Sequence, residues 1–208
     1  MEVGLDEAVA WIDAGGVLAF PTETVWGLAA DARSEVAVGA LRDFKGRGDA
    51  APISVLVTGL AALAPLGFDV LPSARRLARE FWPGPLTLVL GCAGAFASGV
   101  ARGDGAVGVR CSPHPLASAL AQSLQQRSVG PITATSCNRS GEPAAETRAE
   151  AGRVCADDAH LRVLGDEPDA SGEEPSTVVD LTGPTPHVLR WGALSETVLA
   201  PVLAEIAA

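Results

Sequence analysis

Short apolar runs that alternate with helix-patterned segments constrain the fold of this chain more than any other feature of its sequence. Residues 17–20 and 107–110 are apolar runs that are long enough for strands and too short for helices. Residues 6–14 and 115–125 instead carry apolar side chains at three- and four-residue spacing, which predicts helices. This alternation predicts an α/β fold with a mixed sheet and flanking helices rather than a sandwich or a helix bundle.

The same patterns predict the remaining elements. Further strands are expected over residues 53–57, 86–90, 132–136, 162–164, 177–181 and 187–190. Further helices are expected after the capping residues Ser34, Ser73, Thr147 and Ser195. With 208 residues, the chain is expected to form a single domain over residues 1–208, with its core over about 5–192 and a C-terminal helix over 195–207. Residues 166–175 are acidic and contain two prolines, so we expect a loop or lid there.

Composition narrows the class of protein. The chain has 25 acidic and 15 basic residues, for a formal net charge of −10. A surface dedicated to nucleic acid normally has an excess of Lys and Arg, so the sequence argues against tight tRNA binding by the chain as a whole. The N-terminus lacks the order of a signal peptide, and no apolar stretch reaches the roughly 18–20 residues of a membrane span. We therefore expect a cytoplasmic protein.

The residues that most often bind metals are scattered. The four cysteines are far apart and form no Cys-x-x-Cys pair, and the three histidines form no cluster. This spacing argues against a zinc site and against a disulfide scaffold. We therefore expect no metal site built from protein side chains.

Polar residues follow the first buried strand at the point where it ends. Pro21 cannot donate to a sheet ladder, so the strand over residues 17–20 should stop there. Thr22, Glu23 and Thr24 come next and would lie where ligands collect in open α/β sheets. An ordinary polar turn explains these residues equally well.

Two further motifs carry groups suited to a nucleotide, although the chain has no Walker A motif. Lys45 and Arg47 follow a helical pattern and could bind one anion together, but their spacing alone favours solvated charges at a helix end. Ser136 and Asn138 follow an apolar strand and could bind ribose or phosphate, or could form a turn that satisfies its own backbone. Cys137 lies between them, so we expect a bound nucleotide to protect this thiol.

Five blocks in a fixed order, which include these motifs, resemble the YrdC/TsaC family of threonylcarbamoyl-AMP synthases. They are Pro21-Thr-Glu-Thr24, Phe44-Lys-Gly-Arg47, the block that begins at Phe81-Trp-Pro-Gly-Pro85, Val107-Gly-Val-Arg110, and the segment from Thr133 to Gly141. The resemblance extends from about Gly16 to Gly192, which is nearly the whole chain. It implies a YrdC-like fold, in which a twisted mixed sheet with flanking helices forms a single domain.

The resemblance implies site residues, matched one position at a time. Lys45, Arg47, Ser136, Asn138 and Arg190 would bind ATP. Lys45 and Arg47 would also be the catalytic residues, because they would neutralise the charge of the phosphates.

A second group of residues would bind L-threonine by the same resemblance. Its members are Thr22, Arg110 and Ser176. The guanidinium of Arg110 would hold the amino-acid carboxylate, a pairing that bidentate geometry favours.

The family reaction consumes L-threonine, bicarbonate and ATP and releases pyrophosphate. Its product, threonylcarbamoyl-AMP, is used by partner proteins that modify tRNA. The resemblance therefore implies magnesium bound mainly by ATP, tRNA-modifying transferases downstream, and weak or absent direct tRNA binding. A related enzyme that adenylates another carbamate, and a non-catalytic RNA-binding module, are the alternatives that the sequence leaves open.

Some positions depart from the family pattern. Gly48 stands where proline is common, Ala51 where asparagine is common and Ile53 where leucine is common. The change to Ala51 removes an amide that could contact ATP. Trp26 replaces a smaller aromatic residue, and Cys137 replaces an alanine.

Overall fold

Six helices lie in the described parts of the chain, and local sequence signals explain where two of them begin. The computed structural model describes residues 1–46, 52–165 and 174–207. Ser34 caps one helix by accepting from the Ala37 N–H, and Thr147 forms a capping box with Glu150 at another. The helices are α1 (Leu5–Asp13), α2 (Glu35–Lys45), α3 (Pro72–Phe81), α4 (Pro115–Gln126), α5 (Arg148–Cys155) and α6 (Glu196–Ala207).

The start of α3 differs from the prediction. Ser73 was predicted to cap this helix, but Leu71 holds the capping position and Pro72 is the first helical residue. Proline is favoured there because the first N–H of a helix has no intrahelical partner. Trp82 and the prolines beyond it end the helix, as predicted.

Eleven strands in the described residues form two mixed sheets. They are β1 (Glu2–Val3), β2 (Val17–Phe20), β3 (Gly27–Ala29), β4 (Val55–Leu56), β5 (Leu86–Gly91), β6 (Ala106–Arg110), β7 (Ile132–Thr133), β8 (Thr135–Ser136), β9 (Leu161–Leu164), β10 (Thr177–Asp180) and β11 (His187–Arg190). The five-stranded sheet has the order β1-β9-β2-β3-β8 and the six-stranded sheet has the order β11-β10-β5-β6-β4-β7. The predicted α/β class with mixed sheet pairing and flanking helices is therefore confirmed, with the strands divided between two sheets.

The division between the sheets occurs inside a segment that the sequence predicts as one strand. Residues 132–136 form β7, which pairs with β4, and β8, which pairs with β3 in the other sheet. Ala134 separates the two strands, and its N–H donates to the Ser54 carbonyl over 2.7 Å. The buried Thr133 hydroxyl donates to the Leu28 carbonyl and accepts from the Ala30 N–H, so it ties the crossing point to β3.

Apolar side chains pack on both sides of these sheets. One cluster places α1 and α4 against β2, through residues such as Ile12, Leu18 and Leu120. A larger cluster joins the remaining helices to both sheets and includes the fully buried Trp26 and Leu41. The sheets are therefore held in one arrangement by shared packing, and this arrangement fixes the ends of the strands relative to one another.

No helix in the described ranges is long and apolar enough to cross a membrane.

Candidate active site

A cavity of about 370 Å³ opens where strands of the two sheets end side by side. The five-stranded sheet contributes Thr22, which follows β2, and Ser136 at the end of β8. The six-stranded sheet contributes Arg110 and Arg190, together with Ser176 just before β10. Five of the predicted site residues therefore line one cavity. A second cavity, of about 360 Å³ beside α4, contains none of them.

Arg110 is the most deeply buried charge on this cavity, with a side chain that is 8% exposed. Its Nη2 donates to Glu23, and both Nη atoms lie 3.2 Å from Thr24 Oγ1. Its Nε is buried and has no hydrogen-bond partner among the described residues. The protein therefore uses part of the donor capacity of this guanidinium and leaves the rest for another group.

The hydroxyl groups of Thr22 and Thr24 form a short chain that ends at Arg110. Thr22 Oγ1 donates to the Val25 carbonyl over 2.7 Å, and it accepts from the Thr24 N–H. The contact of 2.9 Å between the two hydroxyls must then have Thr24 as donor, because the Thr22 proton is already used. Thr24 consequently turns its lone pairs towards Arg110. The Thr22 hydroxyl, which was predicted to contact threonine, is saturated by its own loop.

Ser176 and Arg190 form the opposite wall of the cavity. Arg190 donates to the Ser176 carbonyl through Nε and Nη2, over 3.1 and 2.8 Å. The Ser176 hydroxyl lies 2.8 Å from Thr87 Oγ1 on β5. Burial lowers the pKa of Arg190, and the positive charge of Arg110 lowers it further, so the two guanidinium groups are close enough to repel each other.

A close backbone approach holds this wall in position. Gly192 lies so near residues 175 and 176 that a Cβ atom would be 2.0 Å from the Pro175 oxygen. The Ala193 N–H donates to that same oxygen, and the Gly192 N–H donates to Thr177 Oγ1. The backbone contacts fix Ser176 without using its hydroxyl.

Lys45 lies beneath the segment 136–141, which we name the nucleotide loop after the ATP contacts that the family resemblance implies for it. Its Nζ donates to the Ser136 carbonyl, the Asn138 carbonyl and Asn138 Oδ1, over 2.6, 3.1 and 2.7 Å. The residue is 1% exposed. The alternative that spacing alone favoured, a solvated charge at a helix end, is therefore wrong for Lys45, because its ammonium is bound by loop oxygens.

Asn138 is held from two sides within the nucleotide loop. Its Oδ1 accepts from Lys45 and, over 2.8 Å, from the Ser136 hydroxyl. The loop is tied to α2 again where the Ser140 N–H donates to the Lys45 carbonyl. Ser136 lines the cavity, whereas Lys45 and Asn138 lie behind it. The predicted Lys45, Ser136 and Asn138 thus form one hydrogen-bonded unit.

Cys137 is fully buried in the same loop, on the side away from the cavity. A hydrogen bond that the Cys137 thiol donates to Cys155 raises the pKa of Cys137, and burial raises it further. The expectation that a nucleotide protects this thiol is therefore wrong, because the fold already covers it. Arg47, Gly48 and Ala51 lie outside the described residues, as does most of the predicted lid, residues 166–173.

Sequence reasoning missed two groups that support the site. Thr87 and Ser112 are buried polar residues that bind Ser176 and Glu23, respectively. A polar residue inside the apolar strand β5 was the available signal for Thr87, since such a side chain needs a partner when it is buried. Ser112 follows Arg110 by two residues, and nothing in the sequence distinguishes it from a turn residue.

Carboxylates, histidines and cysteines do not come together here. Across the parts of the chain that the structure describes, no group of three or more of these side chains could hold a metal ion. The cavity presents two guanidinium groups, several hydroxyls and the carboxylate of Glu146. The guanidinium groups and hydroxyls suit anions and hydrogen-bonding substrates.

Comparisons with known proteins give the family and the fold of this chain. The family model Sua5_yciO_yrdC, described as "Telomere recombination", matches residues 10–192. The chain is 38% identical over 200 residues to a Mycobacterium tuberculosis protein, with 96% of this chain and 89% of that protein covered. It is 35% identical over 201 residues to the threonylcarbamoyl-AMP synthase of Bacillus subtilis, with 96% of this chain and 56% of that protein covered.

A solved structure with the same fold contains an amino acid. The chain superimposes on Pyrococcus abyssi Sua5 complexed with L-threonine with a TM-score of 0.88 and 31% identity. The match covers 99% of this chain and 61% of that chain. The chain thus spans a little more than half the length of both the Bacillus and the Pyrococcus proteins.

Proposed function

The chain belongs to the Sua5/YciO/YrdC family, and we propose that it makes threonylcarbamoyl-AMP from L-threonine, bicarbonate and ATP. The observation that carries this proposal is the cavity of about 370 Å³ that is lined by Arg110, Ser136, Ser176 and Arg190 together. An amino acid at one end and a nucleotide at the other would bring both substrates to one reaction centre.

The proposed chemistry needs no covalent intermediate with the protein. The threonine amine combines with bicarbonate to give a carbamate and water. A carbamate oxygen then attacks the α-phosphorus of ATP in line, which forms a C–O–P linkage while the bond to the leaving pyrophosphate breaks. The protein contributes positioning and charge neutralisation, which are sufficient for large rate gains.

Arg110 and Ser176 bind the threonine end in this proposal. The guanidinium of Arg110 pairs with the threonine carboxylate, for which it has an unused N–H. Thr22 contributes to the wall of this subsite, and its hydroxyl acts through Thr24 on Arg110.

The nucleotide loop binds ATP in this proposal. Ser136 lines the cavity, and Asn138 and Lys45 hold the loop in shape from behind. The charge of Lys45 acts on the phosphates through the loop it supports. Arg47 supplies a further phosphate contact, and Arg190 contacts ATP from the opposite wall.

Magnesium arrives with ATP in this proposal. Phosphate oxygens and water are its preferred ligands, and the bound ion neutralises part of the triphosphate charge.

In this proposal, tRNA-modifying transferases use the product. The reaction takes place in the cytoplasm, where ATP and tRNA are available. The net charge of −10 supports weak, salt-sensitive binding of tRNA by this chain. A tight dissociation constant that is independent of salt would instead favour the RNA-binding module.

Pyrophosphate release tests the proposed function. We expect release from ATP to require both L-threonine and bicarbonate, because their adduct is the nucleophile. Serine, which lacks one methyl group, should lower kcat/KM by about 10–200-fold. Equal release with every amino acid, or without any, would exclude the threonine assignment. Release that does not need bicarbonate would exclude the carbamate step.

A further inference from the structure

We propose that Glu23 is a positioning residue that holds Arg110 ready for the carboxylate of the amino-acid substrate. This inference rests on the proposed function. Thr22 and Thr24, its neighbours on both sides, line the cavity, whereas Glu23 lies behind the guanidinium and is 14% exposed. Any effect of Glu23 on the substrate is therefore transmitted through Arg110.

The two carboxylate oxygens of Glu23 have different partners. Oε1 accepts from Arg110 Nη2, and Oε2 accepts from the Ser112 hydroxyl. Ser112 is fixed in turn, because its oxygen also accepts from the His114 N–H at the start of α4. A carboxylate held at both oxygens cannot rotate into the cavity, so it supports Arg110 without taking the place of the substrate.

The described residues bind the guanidinium of Arg110 at its Nη atoms and not at its buried Nε. Glu23 and Thr24 both bind its Nη atoms, and Thr24 is itself oriented by the hydroxyl of Thr22. A planar group that is bound by two side chains of one loop has a fixed plane. Its Nε–H has no partner among the described residues, so donor capacity remains after Glu23 is bound.

Charge gives a second reason for Glu23 at this position. Arg110 and Arg190 both line the cavity. Burial lowers the pKa of Arg190, and the positive charge of Arg110 lowers it further. His114 lies near Glu23, and burial lowers the pKa of the His114 imidazole. At a pH above the ordinary titration range of histidine, His114 therefore adds little positive charge. Glu23 is then the anion that balances Arg110 before a substrate binds, and it keeps Arg110 from moving away from Arg190.

Two variants test this role from different sides. Glu23→Gln keeps the shape of the side chain and removes its charge, whereas Ser112→Ala removes the far support and touches neither Arg110 nor the cavity. Threonine affinity is measured by calorimetry, and KM for threonine and for ATP by pyrophosphate release. We expect Glu23→Gln to raise KM for threonine roughly 10-fold, with kcat and KM for ATP changed less than about 3-fold. Ser112→Ala should change them in the same direction by roughly 3-fold.

The possible outcomes separate this inference from the proposed function. An unchanged KM for threonine in both variants would overturn the inference, and a lower KM would show that Glu23 competes with the substrate. A purely structural role would lower the melting temperature and kcat together and leave KM for threonine unchanged, which also overturns it. If Glu23→Gln does not fold, Ser112→Ala alone decides. Wild-type pyrophosphate release without any need for threonine would refute the proposed function itself, and the inference with it.

Discussion

Lys45 and Arg110 are two buried cations near one cavity, and the protein treats them in opposite ways. Lys45 gives three hydrogen bonds to oxygens of the nucleotide loop and lies behind the cavity wall. Arg110 lies on the wall, is bound along one edge, and retains a buried Nε without a partner among the described residues. Burial of a charge costs free energy in both cases. The hydrogen-bond partners of each cation therefore show what its charge is used for.

This contrast gives a criterion that distinguishes a structural cation from a ligand-binding cation. A cation whose donors all meet protein oxygens stabilises the segments that supply those oxygens. A cation that keeps unused donors beside a cavity is prepared for an anion that the protein does not supply. The nucleotide loop is therefore built around the charge of Lys45. The wall at Arg110 is instead prepared for an anion that comes from outside the protein.

The largest expected effect is that of Lys45→Met. The substitution leaves the buried carbonyls of Ser136 and Asn138 without their donor, which should cost about 3 kcal/mol. For a chain of this size, the melting temperature should fall by roughly 6–12 °C, and pyrophosphate release should fall with it. The matched control is Arg75→Met on the exposed side of α3, which should stay within about 0.5 kcal/mol of wild type. Unchanged melting with lost activity would contradict the comparison and assign Lys45 a direct contact with phosphate.

Arg110→Lys should affect threonine more than stability. The variant keeps the charge that balances Glu23 but loses the planar fork. Loss of a charged hydrogen bond is worth about 1.5–3 kcal/mol, so kcat/KM for threonine should fall on the order of 10- to 100-fold. KM for ATP is the internal control and should change little. An equal fall for both substrates would mean that the cavity is not divided into two ends.

Gly192→Ala should disturb the threonine end and spare the nucleotide loop. A Cβ atom there would lie 2.0 Å from the Pro175 oxygen, so the wall that carries Ser176 must shift. Overpacking of this kind costs about 1–3 kcal/mol, and KM for threonine should rise. Gly152→Ala in α5, where a Cβ atom meets nothing within 4 Å, is the control and should be neutral or stabilising. Parallel effects of the two variants would refute the steric explanation.

The smallest expected effect is the modification of the buried cysteines when the native protein is treated with a thiol reagent. Cys137 and Cys155 are 0% and 3% exposed, so a maleimide should leave both unmodified and react first with the partly exposed Cys92. Mass spectrometry of the labelled peptides provides the measurement. Rapid labelling of Cys137 without denaturant would mean that the nucleotide loop opens away from Lys45.

Sequence reasoning predicted the elements that depend on local signals. β2, α2 with its Ser34 cap and α5 with its Thr147 cap all occur where they were expected. The capping hydroxyls act within three residues, so local sequence is sufficient. β3 was missed because its three residues form a strand only by pairing with β2 and β8.

The candidate site was predicted as a set of residues more successfully than as a geometry. The resemblance brought together Arg110, Ser176, Ser136 and Arg190, and these residues do line one cavity. It could not indicate that Lys45 is buried, because the burying oxygens belong to a loop 91 residues later in the chain. The saturated hydroxyl of Thr22 likewise follows from the path of the backbone at 22–25 rather than from residue identity.

The passage of the chain from one sheet to the other at Ala134 affects how such a site can change in evolution. One residue separates β7 from β8, and its backbone is tied to Ser54, so it works as a spacer of fixed length between the two sheets. The nucleotide loop follows it on one sheet, whereas Arg110 and Ser176 belong to the other. Residues near Arg110 and Ser176, at the ends of the six-stranded sheet, can therefore change while the nucleotide loop stays the same. An insertion at position 134 would alter the separation of the two reactants themselves, so this one-residue link should tolerate changes in length far less than the surface turns do.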